Sequence, residues 1–430
     1  MTGDAVREAL AAIDRDARAR ILATLARRFG DLDLAEDATQ EALTQALQTW
    51  PRTGVPESPE AWLQTTARRK ALDHVRRESV LAQKLARVRI EEERGPVPAG
   101  LGDPAVVAGA QVRDPVPDDR LGLFFACCHP VMRPEDRVAL TLRFVGGLST
   151  AEVAHALLVP VATMQQRIVR AKQRIRTLGV PFGEPPRAEL AARMAGVQKV
   201  IYLMYAEGFA RSHGPGHVRD DLTAEAIRLA RVLRGLAVDG ASAETTGLLA
   251  LLLLTEARRP ARVGAVDGRP VPLAEQDRGL WDRELIGEGL ALAEAAAGAP
   301  GAGAYAIQAA IAAVHAEATS FAQTDWDQIA VLYGMLEAYE PGPVVRLGRA
   351  VALGRARGPA VGMRLLDALA ADAALQRFRP FHVARAVTFE ELGEFAGAAA
   401  AYRRALELPG NEAEDGLLMA SLEGIGGAGG

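Results

Sequence analysis

Residues 149–178 hold the sequence's clearest chemistry. Five bases, Arg167, Arg170, Lys172, Arg174 and Arg176, are interleaved with Gln165, Gln166 and Gln173, and no acid occurs between Glu152 and Glu184. Arg and Gln reach base edges in a DNA major groove while flanking bases neutralise phosphates, so this set is suited to reading duplex DNA. A second set lies in residues 61–90, which carry eight bases against two acids. There Trp62, Thr66, Arg69, Asp73 and Arg76 recur at steps of four, three, four and three, and an aromatic among Thr and Arg can stack on an unpaired base and hold its phosphate. A third set, Asp31 to Glu41, has five acids and no base, a face that asks for a basic partner or for water. Catalytic chemistry is not offered. His213 and His217 are separated by Gly214, Pro215 and Gly216, which deny them a shared helical face and read as a flexible loop; Cys127 and Cys128 are adjacent, and with His129 they read as packing residues. Gly301-Ala302-Gly303 follows no strand and is no nucleotide fingerprint. The expectation is a protein that is not an enzyme and needs no cofactor or metal.

Helices must position these sets. Ser149-Thr150-Ala151-Glu152 has the capping-box spacing, and a turn at Val159-Pro160 separates the short helix it opens from a longer one. In the longer helix Val161, Met164, Ile168, Ala171, Ile175 and Leu178 fall on one face, leaving Gln166, Val169, Arg170, Gln173 and Thr177 on the other. Ser58-Pro59 opens the helix of the second set, with Leu63, Ala67, Ala71 and Val75 on its inner side. The acidic set predicts a helix from about Leu34, with Ala35, Ala38, Ala42, Leu43, Ala46 and Trp50 inward and Asp37, Gln40, Glu41 and Thr44 outward.

The 430 residues suffice for two or three domains, and 49% hydrophobic against 24% charged residues exclude a globally disordered chain. Aromatics are only 5%, Ala and Leu are abundant, and strand-like alternation is nearly absent, which makes the fold class all-α. The longest aliphatic run, Leu248 to Leu254, is far short of the roughly 20 residues a bilayer needs, so a cytoplasmic location with no membrane contact is expected. The net charge of −4 conceals an asymmetry: residues 1–180 carry 26 bases and 23 acids, the remainder 24 and 31. Glycines and prolines from Gly95 to Pro117 mark a linker, and Pro185-Pro186 marks a second break. Gly393, Phe395, Ala398, Tyr402 and Ala405 follow the second half of a tetratricopeptide repeat, and Gly358 lies 35 residues earlier. Tyr202, Tyr205, Glu207 and Phe209 form a polar-aromatic stretch that suits a contact surface or core packing equally, and Gly424 to Gly430 read as a disordered tail.

In order and spacing these features resemble the bacterial extracytoplasmic-function sigma factors of the sigma-70 family. The likeness rests on Glu36-Asp37 and Gln40-Glu41, the Ala61-Trp62-Leu63 helix through Ala67-Arg68 to Arg76-Arg77, the linker, and the helix-turn-helix ending Arg167-Ile168-Val169-Arg170-Ala171-Lys172. Asp118-Asp119-Arg120-Leu121, Cys127-Cys128-His129-Pro130 and Arg137 to Arg143 resemble the subgroup carrying a long tetratricopeptide-like extension. The resemblance implies region 2 over residues 6–80, a linker over 81–119, region 4 over 120–180 and a helical extension over 187–420. It implies that Asp37, Gln40 and Glu41 bind core RNA polymerase. Trp62, Thr66, Arg68, Arg69, Lys70, Arg76 and Arg77 would hold the minus-10 element of promoter DNA, although Arg69 stands where many relatives have Asn. Thr163, Gln165, Gln166, Arg167, Arg170, Gln173 and Arg174 would read the minus-35 element. The acidic extension is expected to regulate through intramolecular contact with the sigma domains. A protein-binding scaffold built on the repeats is the alternative, but it does not account for the two basic helices.

Overall fold

The computed structural model describes residues 6, 9–10, 13, 15–93, 119–157, 159–183, 185–211, 214, 217–235, 242–264 and 268–428. Among these the protein is all-α, its only β pairing being two isolated bridges. The helices divide between two units, residues 1–148 with 166–197, and residues 149–165 with 198–430.

In the first unit α1 (Arg15–Phe29) packs on α2 (Leu32–Thr53), α3 (Pro59–Glu93), α4 (Asp119–Cys127) and α5 (Pro134–Phe144). Asp31 caps α2, its Oδ1 accepting from the amides of Asp33 (2.8 Å) and Leu34 (3.1 Å), so that helix begins two residues before its expected start. Ala35, Ala38, Ala42, Ala46 and Trp50 are buried as their spacing requires, while Leu43 is only half-buried. Leu63, Ala67 and Ala71 are buried on α3, but Val75 is exposed. No Gly or Pro interrupts the chain between Pro59 and Gly95, and α3 accordingly runs on to Glu93, into the expected linker; residues 94–118 of that linker lie outside the described residues.

Two helices are shared between the units: α7 (Val161–Leu178) and α8 (Arg187–Phe209). The extension expected to start at 187 therefore gives its first half-helix to the first unit. Arg193, buried there, donates from Nη1 to the Phe125 carbonyl at 3.1 Å, and its Nη2 meets Glu189 at 2.5 Å. Gly196 lies against Cys128, where an added Cβ would stand 3.4 Å from the cysteine Cβ. Both cysteines are fully buried; burial raises both thiols, that of Cys128 to about 12, so neither ionises near neutrality.

The second unit opens with α6 (Thr150–Ala156) and continues through α9 (Asp220–Gly235), α10 (Ala243–Glu256), α11 (Arg283–Gly298), α12 (Ala304–Glu317), α13 (Trp326–Tyr339), α14 (Pro343–Arg357), α15 (Pro359–Ala368), α16 (Arg379–Glu391), α17 (Phe395–Leu406) and α18 (Glu412–Ala428). Helix α10 carries the Leu248–Leu254 run, apolar all round because α9, α11 and α12 pack about it. Beyond it three small cores follow in chain order, one containing Ile307, Ile329 and Ala352, the next Leu347, Leu366 and Phe381, the last Ala398, Tyr402, Ala405 and Leu418. Consecutive helices that share such cores are the solenoid arrangement the repeat spacing predicts. Gly358 (φ +98°) joins α14 to α15, and the backbones of Gly354 and Gly362 approach so closely that a Cβ on either would lie about 3 Å from the other's Cα. Gly393 makes the corresponding turn before α17, although Phe395, expected to pack, is exposed.

Residues 424–428 of the glycine-rich end are helical and not the expected loose tail, and residues 429–430 lie outside the described residues. Helix α18 extends to Ala428 because Leu418 and Ile425 join the last core. Tyr205 and Glu207 are buried, with Tyr205 donating to Glu256 at 3.1 Å, whereas Tyr202 and Phe209 are half-buried.

His217 is a buried residue, not the flexible-loop histidine expected; His213 lies outside the described residues. The His217 Nε2 stands 3.1 Å from Arg262 Nη2, and burial, then the Arg262 charge, lowers its pKa to about 4. His315 is lowered to about 4 by burial and by Arg258 and Arg278. At pKa 4 His217 is neutral at pH 7, so its 3.6 Å approach to Glu414 is no ion pair. Unfolded histidines take up protons near pH 6.5 and these two do so only near 4, so the second unit loses stability as pH falls through that interval. The upper figure is about 1.4 kcal/mol per pH unit per histidine. Upward shifts at Glu256 and Glu414, both burial-driven, act in the opposite sense. Urea titrations at pH 7 and 5 should show the loss, and His315→Gln should reduce it; an unchanged midpoint would refute it.

Candidate nucleic-acid and polymerase interface

The capping box at the start of α6 is complete, with the Ser149 amide donating to Glu152 Oε2 (2.6 Å) and the Glu152 amide to Ser149 Oγ (3.2 Å). Helix α7 follows the turn and buries Met164, Ile168, Ala171 and Ile175. Val161 and Leu178, expected on the same face, are exposed because they occupy the helix ends, beyond the packed turns. Thr163, Gln165, Gln166, Arg170, Gln173 and Arg174 are all exposed on one side, whereas Arg167 is half-buried and lies 4.0 Å from Asp136. Arg170 is steadied by its own helix through Nε to the Gln166 carbonyl at 3.2 Å.

On α3, Arg68, Arg69, Arg76 and Arg77 are exposed, and Lys70 pairs with Glu41 of α2 at 3.4 Å. Thr66, expected on the outward side, is buried instead: its position is 60° from that of Leu63 around the helix, on the side away from Ala67 and Ala71, so the packed arc of α3 is wider than its aliphatic face. Trp62 is half-buried, its ring 5.4 Å from that of the fully buried Trp50 at an interplanar angle of 68°. One edge of Trp62 is thus held by the core. Asp37, Gln40 and Glu41 are exposed and line an open trough of about 690 Å³ between α2 and α3, with Lys70 and His74 on the opposite bank.

The first part of the acidic set is engaged within the chain itself, which no local pattern announces. Lys172 of α7 meets Asp33 at 2.6 Å and Glu36 at 3.3 Å, Arg143 of α5 meets Glu36 at 2.8 Å, and Arg176 meets Asp31 at 3.7 Å. Burial alone would lower the Lys172 pKa, but its bonds to Asp33 and Glu36 outweigh burial and raise it. The Phe144 ring lies 5.5 Å from the Lys172 ammonium. The acidic face of 31–41 was expected to meet a basic partner or water; part of that basic partner is α7 of the same chain. Part of the α7 flank that would face phosphates is occupied by carboxylates.

Among the described residues no cluster of His, Cys, Asp or Glu could hold a metal ion, and no helix is long and apolar enough to cross a membrane.

The sigma-70 region 2 family matches residues 15–80 and the sigma-70 region 4 family residues 125–175, while a family of unknown function (DUF6596) matches residues 193–297. An uncharacterised protein of Rhizobium meliloti (strain 1021) is 40% identical over 407 residues, covering 95% of this chain and 93% of its own length. The ECF RNA polymerase sigma factor SigK of Mycobacterium ulcerans (strain Agy99) is 28% identical over 162 residues, 36% of this chain and 78% of that protein. SigK of Mycobacterium sp. (strain KMS) is 28% identical over 165 residues, 37% and 78% of the two chains. No solved structure matches the chain significantly. A capped helix-turn-helix, an α2–α3 pair presenting acids and bases on separate faces, the region 2 and region 4 matches over these helices and the sigma-factor relatives place the chain among the extracytoplasmic-function sigma factors, transcription-initiation proteins of the sigma-70 family, with a long helical C-terminal extension.

Proposed function

We propose that this sigma factor docks on core RNA polymerase through Asp37, Gln40 and Glu41, and works in the cytoplasm, where polymerase and promoter meet. Region 2 (residues 6–80) holds the melted minus-10 element with Trp62, Arg68, Arg69, Lys70, Arg76 and Arg77; Thr66 is left out because it is buried. Region 4 (residues 120–180) reads the minus-35 element through Thr163, Gln165, Gln166, Arg167, Arg170, Gln173 and Arg174. The observation that carries this reading is the exposed amide-and-guanidinium side of α7 behind a capped α6, the arrangement a major-groove reader needs. The extension regulates through contact with the sigma domains, a role supported by the grouping of residues 149–165 with 198–430 in one unit.

The test is run-off transcription with purified core polymerase and the full chain, with a promoter-library titration at several salt concentrations. Arg170→Ala should relax preference at one minus-35 position at a cost of about 1–3 kcal/mol. Arg176→Ala should weaken binding to all sequences alike and lower the salt slope by about one. A change of preferred sequence from Arg176→Ala together with a change of salt slope alone from Arg170→Ala would reverse the assigned orientation of α7.

A further inference from the structure

The second unit contains a cavity of about 790 Å³ whose lining combines a broad apolar surface with cationic side chains. Its volume is in the range of pockets that take small organic molecules, roughly 300–1,000 Å³. Tyr202, Phe209, Ile311, Tyr333 and Phe378 supply the apolar wall. Arg211, Arg258, His315 and Arg379 also line it, and each has a buried side-chain nitrogen with no hydrogen-bond partner: Nε of the three arginines and Nδ1 of His315, joined by Nη1 of Arg379. Arg379 keeps carboxylate neighbours, meeting Glu414 at 3.7 Å and pairing with Asp415.

Arg258 differs from Arg379. No carboxylate among the described residues comes within ion-pair distance of it; its neighbours are the Tyr205 phenol, the Trp281 ring at 5.4 Å and the like charge of Arg278, itself 4.5 Å from that ring. His315, held neutral near pH 7 by burial and by Arg258 and Arg278, supplies no negative charge. Burial accordingly pulls the Arg258 guanidinium down to about 10. Leaving a guanidinium in a protein interior without an anion is costly, and the cost is recovered when an anion arrives with a body that fills the remaining space.

We infer that this cavity is a binding site for a small amphipathic anion, an apolar or aromatic body bearing one carboxylate or phosphate, with Arg258 as the anchor of the charged group. Acids also line the cavity: the buried Glu207 has a partner of its own, Glu414 is engaged by Arg379, and Glu340 lies near Tyr202 and Tyr305, whose pKa values are raised by burial and further by its charge. The anionic end of the ligand is assigned to Arg258 because no carboxylate among the described residues engages that guanidinium. The wall is completed by His155, Ala156 and Leu157, the end of α6, so an occupant touches the first helix of the helix-turn-helix. The site itself does not depend on the promoter-reading proposal, and binding is measured separately from transcription.

The test uses the full chain with 8-anilinonaphthalene-1-sulfonate, an amphipathic aromatic anion, and N-phenyl-1-naphthylamine, its uncharged counterpart. The sulfonate should bind with one-to-one stoichiometry, at least 10-fold more tightly than the amine. Arg258→Gln should weaken the sulfonate at least 10-fold, leave the amine unchanged and not lower the thermal midpoint of the ligand-free protein, because the change removes an uncompensated buried charge. Arg258→Lys should restore part of the affinity. Ala312→Phe, which fills the cavity from α12 with Arg258 intact, should abolish binding of both probes and decides the matter should Arg258→Gln unfold. Displacement by decanoate but not decyl phosphate assigns a carboxylate ligand, and the reverse a phosphate. Equal affinity for the two probes, sulfonate binding untouched by Arg258→Gln or by Ala312→Phe, or several equivalent sulfonate sites would overturn the inference.

Discussion

Asp37→Arg combined with Glu41→Arg should abolish association with core RNA polymerase and leave the fold intact. Both residues are exposed, whereas the residues that attach α2 to its unit are Ala35, Ala38, Ala42, Ala46 and Trp50 on the opposite side. Within the chain the double change breaks one ion pair, Lys70 to Glu41 at 3.4 Å, and a half-exposed pair of this kind contributes about 0–1 kcal/mol. Against a basic partner surface, two reversals replace attraction by repulsion and should cost several kcal/mol, more than about 100-fold in affinity. Co-purification with polymerase reads the loss, and circular dichroism reads the fold. Undiminished co-purification of a folded double variant would remove Asp37 and Glu41 from the docking surface.

A chain ended at Pro186 should lose the first unit along with the extension. The removed segment includes Arg193, which satisfies the Phe125 carbonyl, and Gly196, which lies against Cys128; with that segment in place Phe125 and Cys128 are entirely shielded from solvent. Uncovering a buried carbonyl and an aromatic core costs on the order of 3–5 kcal/mol, a large part of the stability of a small helical domain. A chain ended at Arg211 keeps all of α8 and should retain the unfolding midpoint of the first unit. Urea unfolding of the two truncations side by side is the measurement, and equal midpoints would show that residues 187–197 contribute nothing. The practical consequence concerns regulation: inactivity of the shorter chain in transcription would report unfolding of region 4, and only the longer truncation isolates the role of the extension.

Local rules made much of this legible. The capping box at Ser149 and the apolar step through Met164, Ile168, Ala171 and Ile175 are properties of adjacent turns, and they appear in the structure as the spacing requires. The same rules failed where packing reached a different arc, as at Thr66, or stopped short, as at Val75, Val161 and Leu178. Pro185-Pro186 looked like a domain boundary because proline breaks helices, but the boundary of cohesion falls about 11 residues later, inside a continuous helix that two units share. Breaks in secondary structure and breaks in the core are separate events. The Lys172 to Asp33 pair joins residues 139 positions apart, and no periodicity carries information at that range.

The carboxylates of Asp31, Asp33 and Glu36 that hold Lys172, Arg143 and Arg176 lie on the same helix as Asp37, Gln40 and Glu41 or at its cap. A ligand that draws those carboxylates away liberates cations on the DNA-reading helix, and a polyanion that captures the cations liberates the carboxylates. Thermodynamic linkage then fixes the sign and symmetry of the effect: each ligand raises affinity for the other, and by the same factor in both directions. If polymerase engages those carboxylates and promoter DNA those cations, docking and promoter binding would be heterotropically coupled through a handful of internal ion pairs, with no change of fold required.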